Sequence, residues 1–309
     1  MEKKYKLTNE TINVNGTTLY RIESLKDFSD VKKGDKGGFV ESENNLSHDG
    51  TCWVYNDAKV YGNAEIYDNA KIFDEAKVYG NAEVRDKARV YGKTEIYGNA
   101  EIYENARIFD EAKVYDNAKV FGEAKVYSNT TIYENARIYG NAQAHCEANV
   151  FGDAEVYGNA EVGGYAELYD NAHIYETAII FDKAKVYDNA KVFGNAEVYG
   201  HARVYDNAEV FCNAEVSGNA QVCGNTELCG IVIIKGDAKI ENNSDYITFK
   251  NWWSSGRYFT WTRSNNKWSV GCFYGTGKEL IEKAYEDSEQ SGKEYERVVN
   301  YVESILKGN

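Results

Sequence analysis

Residues 54–83 read VYNDAK, VYGNAE, IYDNAK, IFDEAK and VYGNAE, five hexads in unbroken succession. The period continues from Val54 to Lys239 without insertion or deletion, which makes 31 hexads. The first position is Val, Ile or Leu in 30 of the 31, Ala144 being the exception, and the fifth is Ala in 27. The second is Tyr or Phe in 24 and the fourth is Asn in 17. Periodicity this strict means stacked repeats, whatever the individual propensities.

The hexad has a physical reading. Positions five, six, one and two, as in Ala-Glu-Val-Tyr, form a short strand along which side chains alternate. Ala and Val then point inward, and the charged residue and Tyr point outward. Positions three and four, commonly Gly-Asn or Asp-Asn, turn the chain, because Gly and Asn tolerate the left-handed region. A small residue near each corner and a branched aliphatic in mid-face would fill a narrow triangular prism.

This pattern resembles the bacterial hexapeptide-repeat proteins, although aromatics stand at the second position where that family usually has small or acidic residues. The resemblance implies a left-handed parallel β-helix with three hexads per coil, so 31 hexads give about ten coils. Three segments carry a second resemblance: DVKKGDKGGFVESENNLSHDGTCWVYNDA, the long YGNAEV array, and WSVGCFYGTGKELIEKA. Together they resemble an uncharacterised family of phage and prophage proteins, which implies a mobile-element setting in a bacterial host and supplies no mechanism.

The sequence divides into residues 1–53, 54–244 and 245–309. The first segment carries a hairpin signal, TINV-Asn15-Gly16-TTLYRI, followed by glycine-rich irregular coils. A solenoid end exposes apolar cross-section and unpaired strand edges, so this segment is expected to cap the prism. In the last segment DYITFKNWW, RYFTWTRS and KWSVGCFYG read as three antiparallel strands, with Ser264-Asn265-Asn266 turning the hairpin. KELIEKAYED and GKEYERVVNYVESILK then show apolar residues at helical spacing. A small α+β domain is expected.

Composition narrows the functions. The chain carries 49 Asp+Glu against 35 Lys+Arg, a formal charge of −14. The array from Val54 to Lys239 holds 30 acidic and 18 basic residues, so most of that charge lies on it. Direct binding to a nucleic-acid backbone is not expected. No stretch is apolar enough to span a bilayer, and MEKKYKLTNET has no apolar run of the kind a signal peptide needs. Six cysteines without such a leader read as reduced thiols in a bacterial cytoplasm. No metal site or cofactor is expected.

Two groups of residues stand out. In steps of 18, one edge of the prism reads Tyr55, Phe73, Tyr91, Phe109, Tyr127, His145, Gly163, Phe181 and Tyr199. The aromatic series is interrupted at His145 and Gly163, which predicts a notch between Tyr127 and Phe181. Cys146 and nearby carboxylates would make it a ligand candidate, with simple repeat decay as the alternative. The opposite edge, from Tyr61 to Tyr205, is aromatic throughout and suits self-stabilisation with some role in assembly. The second group is Trp252, Trp253, Tyr258 and Trp261. Alternation along Asn251-Trp252-Trp253 predicts one tryptophan buried and one exposed, the exposed ring anchoring a partner.

The expected function is a non-enzymatic structural or protein-interaction module with a protein partner or a homo-oligomer, a trimer being the form considered. A hexapeptide-type acyltransferase is the alternative from the fold resemblance. It is weakened by the missing interruption between Val54 and Lys239, and by His173 and His201 standing at ordinary outward or corner positions. A further alternative is a phage inhibitor of a host defence component, with the acidic rod mimicking duplex DNA.

Overall fold

The computed structural model describes residues 2–307. Two compact units divide the chain, residues 1–177 and 178–309. Both contain β-solenoid turns built from two-residue strands, about eleven turns between them.

In the first unit 21 such strands, from Trp53–Val54 to His173–Ile174, form three parallel sheets of seven. Within this unit strands pair in steps of 18 residues, as Lys59–Val60 does with Lys77–Val78. The sixth position faces outward and the first inward. All first- and fifth-position aliphatics from Val54 to Ile174 are buried, almost all with no exposed surface. The interior is therefore alternate layers of Ala and Val or Ile. Alanine fits near the corners because the prism walls converge there.

The turn differs from expectation in one respect. All 31 third positions have positive φ, from 53° to 84°, whereas the fourth-position Asn residues do not. Asn56 and the Asp, Glu, Ser and Cys residues hold the left-handed region at 53–63°, while the glycines lie at 66–84°. In several coils the amide of the third position points along the stack and donates to a carboxylate of the coil below. Examples are Glu104 N to Asp86 Oδ2 at 3.0 Å and Gly152 N to Glu134 Oε2 at 2.8 Å. That bond offsets the left-handed cost of a residue with a Cβ.

Freed from the turn, the fourth-position Asn residues hydrogen-bond to one another along the stack. Asn63, Asn81, Asn99 and Asn117 each donate from Nδ2 to Oδ1 of the Asn 18 residues on, at 2.9–3.1 Å, and the series runs to Asn135 and Asp153.

The N-terminal segment is partly solenoid already. Strands β1 (Tyr5–Val14) and β2 (Thr17–Ser24) form the expected hairpin, with Asn15 and Gly16 both at positive φ. Strand β3 (Lys36–Val40) then pairs antiparallel with β2 and parallel with Lys59–Val60. It thereby converts a hairpin edge into the first face of the stack. Lys4, fully buried, donates from Nζ to the carbonyl of Cys52 at 2.9 Å and contacts its Sγ at 3.2 Å. The chain start is so tied to the first coil.

In the second unit eleven two-residue strands, from Ile179–Ile180 to Lys239–Ile240, repeat the three-sheet arrangement. They are followed by a four-stranded antiparallel sheet: Tyr246–Lys250, Tyr258–Thr262, Lys267–Val270 and Phe273–Gly275. The expected third strand is thus two, separated at Gly271 and Cys272, where Gly271 has φ +55°. Helices α1 (Gly277–Asp287) and α2 (Glu289–Lys307) complete the domain. Thr276 and Glu279 form a reciprocal capping box at the start of α1. Phe259, Trp261, Trp268, Leu280, Ala284, Tyr295, Val299 and Val302 form the core.

This domain closes the last coil. The amide of Ile233 donates to Thr260 Oγ1 at 3.2 Å and that of Lys239 to Ser264 Oγ at 2.7 Å. Asn265 Nδ2 donates to Asp237 Oδ1 at 3.0 Å. Side-chain oxygens so occupy strand-edge amides that would otherwise stay open to another chain.

Candidate functional site

The four C-terminal tryptophans have different environments. Trp261 and Trp268 are core residues, 1% exposed, and the indole N–H of Trp261 donates to Asn266 Oδ1 at 2.8 Å. Trp261 is therefore not a surface anchor, because its inward face of the sheet packs under both helices. Tyr258 lies on the strand edge opposite Lys250, whose ammonium stands 5.6 Å from its ring centroid. Trp252 and Trp253 are not on a strand at all: the first strand ends at Lys250, and residues 251–257 form a loop. Asn251 shapes it, accepting from Ser254 N at 2.9 Å and donating to Tyr295 Oη at 3.2 Å. Trp253 folds back against Tyr295, edge to face at 5.0 Å. Trp252 points outward and is 74% exposed, the largest such apolar side chain among the described residues.

The same loop borders a cleft of about 300 Å³. Asn251, Ser254 and Arg257 line it from the loop, Cys272 from the turn between the last two strands, Phe273 from the sheet, and Lys283, Asp287 and Tyr295 from the helices. Trp252 does not itself line the cleft, but the loop that carries it does, and an exposed indole on such a loop is the kind of group that contacts a protein segment.

The second candidate lies in the first unit. His145 does not interrupt the aromatic edge. Its ring stacks on Tyr127, with centroids 5.0 Å apart and planes 13° from parallel, and it is 8% exposed. Tyr127 in turn stacks on Phe109 at 4.8 Å. The expected two-rung notch is corrected to a missing side chain at Gly163 alone within this unit, because imidazole is planar and close enough in size to take the place of a phenol. Phe181 belongs to the second unit, where it is partly buried.

Both ring nitrogens have polar neighbours. Nε2 is 2.9 Å from Glu161 Oε1, and Nδ1 is 3.2 Å from Cys146 Sγ. Glu161 was not legible as a partner from local sequence. The signal is the spacing of 16, from the second position to the sixth position of the next coil. It recurs where Tyr67 donates to Glu83 at 2.8 Å and Tyr139 to Glu155 at 2.9 Å. Tyr165 replaces the usual corner Asn, is 55% exposed, and hydrogen-bonds Glu147. Among the described residues no three His, Cys, Asp or Glu side chains gather as a metal would need.

The remaining edges are ladders. Tyr61, Tyr79, Tyr97, Tyr115, Tyr133, Phe151 and Tyr169 stack at 4.7–5.1 Å with planes within 11° of parallel. Faces are covered and edges are presented. Burial against neighbours holds the hydroxyls of Tyr97, Tyr115 and Tyr133 above the ordinary phenol range. Acidic residues on the faces are partly matched across coils, as in Lys77–Glu95 and Lys119–Glu101 at 2.8 and 2.6 Å.

No family model matches the chain, and a search of curated proteins finds no match.

Proposed function

We propose that the protein is a non-enzymatic interaction module whose C-terminal domain holds a protein partner through Trp252. The observation that carries this is a 74% exposed indole on a loop that also edges a cleft of about 300 Å³. Covering so large a ring on binding is favourable, and tryptophan is among the residues enriched at energetic centres of interfaces. The solenoid turns then serve as a scaffold, with self-stacking ladders and paired faces. Cross-coil ion pairs break up the phosphate-like charge pattern that DNA mimicry would require. The resemblance to phage and prophage proteins is what supports looking for that partner in a bacterial host.

The test uses the tagged full-length chain in bacterial lysate. A partner recovered by the wild type should be lost on Trp252→Ala, by roughly thirtyfold in affinity for a hot-spot aromatic worth about 2 kcal/mol. The thermal midpoint should not move, since the ring packs on little but Trp253. Equal recovery by the variant would transfer the binding surface to the solenoid faces and sink this reading.

A further inference from the structure

Position three of the hexad holds a cysteine twice, Cys146 in the first unit and Cys212 in the second. The two share a backbone conformation, φ +62° and +63°. Their neighbours differ. Cys212 follows Phe211, whose ring stacks on Phe193 at 4.7 Å. Cys146 follows His145, whose Nδ1 stands 3.2 Å from Sγ while Nε2 stands 2.9 Å from the Glu161 carboxylate. Adjacent side chains on a strand would point to opposite faces. Here the left-handed corner swings Cys146 round, so that both reach the same side.

The hydrogen bonding selects the tautomer. A carboxylate only accepts, so Nε2 carries the proton toward Glu161 and Nδ1 presents its lone pair to the thiol. Thiol, imidazole and carboxylate thus stand in the order nucleophile, base and orienting group. Stacking on Tyr127 holds the ring in place. The corner neighbours along the stack are Ser128 below and Gly164 above, whereas Asp74, Asp110 and Asp182 stand at this position elsewhere on the edge, so no third-position carboxylate adjoins the sulfur.

We propose that Cys146 is an activated thiol that reacts with hydroperoxides, with His145 as its base and Glu161 as the positioning residue. In the step, sulfur attacks one peroxide oxygen, the S–O bond forms and the O–O bond breaks. The thiol proton passes through Nδ1 to the departing oxygen, which leaves as water from hydrogen peroxide or as the alcohol from an organic hydroperoxide. Sulfur is oxidised by two electrons to the sulfenic acid and the peroxide is reduced. The reagent class follows from the surroundings. Gly163 adds no side chain at the next rung, Glu147 and Glu161 are acidic, and residues 139–177 contain no Lys or Arg, which disfavours anionic electrophiles.

Cys212 provides the control within the same molecule, and it is the more exposed of the two. Full-length protein is treated separately with iodoacetamide and with hydrogen peroxide plus a sulfenic-acid trap, and each cysteine is followed by peptide mass spectrometry. Cys146 should react at least about tenfold faster than Cys212 with both reagents, a conservative figure for general-base assistance. His145→Phe restores the repeat's own aromatic rung, and should bring Cys146 to the Cys212 rate without loss of stability. Glu161→Gln should give an intermediate rate. Equal rates at Cys146 and Cys212 in the wild type would overturn the activation. Fast alkylation without peroxide oxidation would overturn the hydroperoxide assignment. Neither result depends on Trp252 or its partner.

Discussion

Val156 and Glu155 are neighbours in sequence with opposite surroundings. Val156 has no exposed surface and faces only Ala and other aliphatics across a narrow interior. A carboxylate there can be neither hydrated nor paired. Val156→Asp should therefore cost more than about 4 kcal/mol, read as a collapsed denaturation midpoint or as insoluble protein. Glu155 is an outward residue but not an idle one. It accepts from Tyr139 Oη at 2.9 Å and from Arg137 at 3.3 Å, so Glu155→Lys would add a cation beside Arg137 and is not a neutral control. Glu65, exposed on the same kind of face, is the better comparison, and Glu65→Gln should stay within about 0.5 kcal/mol of wild type. Similar losses from Val156→Asp and Glu65→Gln would refute the assignment of inward and outward positions.

At the scale of the element, the repeated strand is too short to be stable alone, and its energy lies in ladders between coils. The asparagine series is one. Asn117 accepts from Asn99 at 3.0 Å and donates to Asn135 at 3.1 Å, so Asn117→Ala breaks two bonds and leaves two amides to water. Since the ladder is exposed, the net loss should be about 1 kcal/mol, measurable by denaturant titration. An unchanged midpoint would mean that water replaces the ladder at no cost. The hexad's Asn was legible as a corner residue, but its role was not. Left-handed tolerance suggested that it made the turn, whereas the third position makes it and the fourth position links the coils. Only the superposition of coils in steps of 18 brings one Asn amide to the next.

At the scale of the molecule, both units depend on tyrosine rings packed against neighbours. Burial is the first cause that raises the hydroxyls of Tyr97, Tyr115 and Tyr133 in one unit and of Tyr187 and Tyr199 in the other, Tyr199 to about 12. A folded-state pKa above the unfolded value stabilises fully below the unfolded value, about 10 for tyrosine, and is lost as pH rises toward the folded one. Stability should therefore hold to about pH 10 and decline between there and about 12. Phenolate absorbance should rise together with the loss of circular dichroism. Ionisation of most tyrosines well before unfolding would contradict this coupling.

The repeat, the inward Ala and Val, the outward rings, the Asn15-Gly16 hairpin and the two C-terminal helices can all be read from the residues in order. Each of these is set by covalent order, because a period of six with alternating polarity leaves one way to bury the aliphatics. Tertiary structure alone decided the meetings between distant positions. Glu161 reaches His145 because the coil above offers its sixth position to the second position below. Trp252 is exposed while Trp253 and Trp261 are covered, because the loop at Asn251 ends the strand and the helices pack over only one side of the sheet. Identical residue types therefore have different roles, which depend on the packing around each rather than on the pattern that contains it.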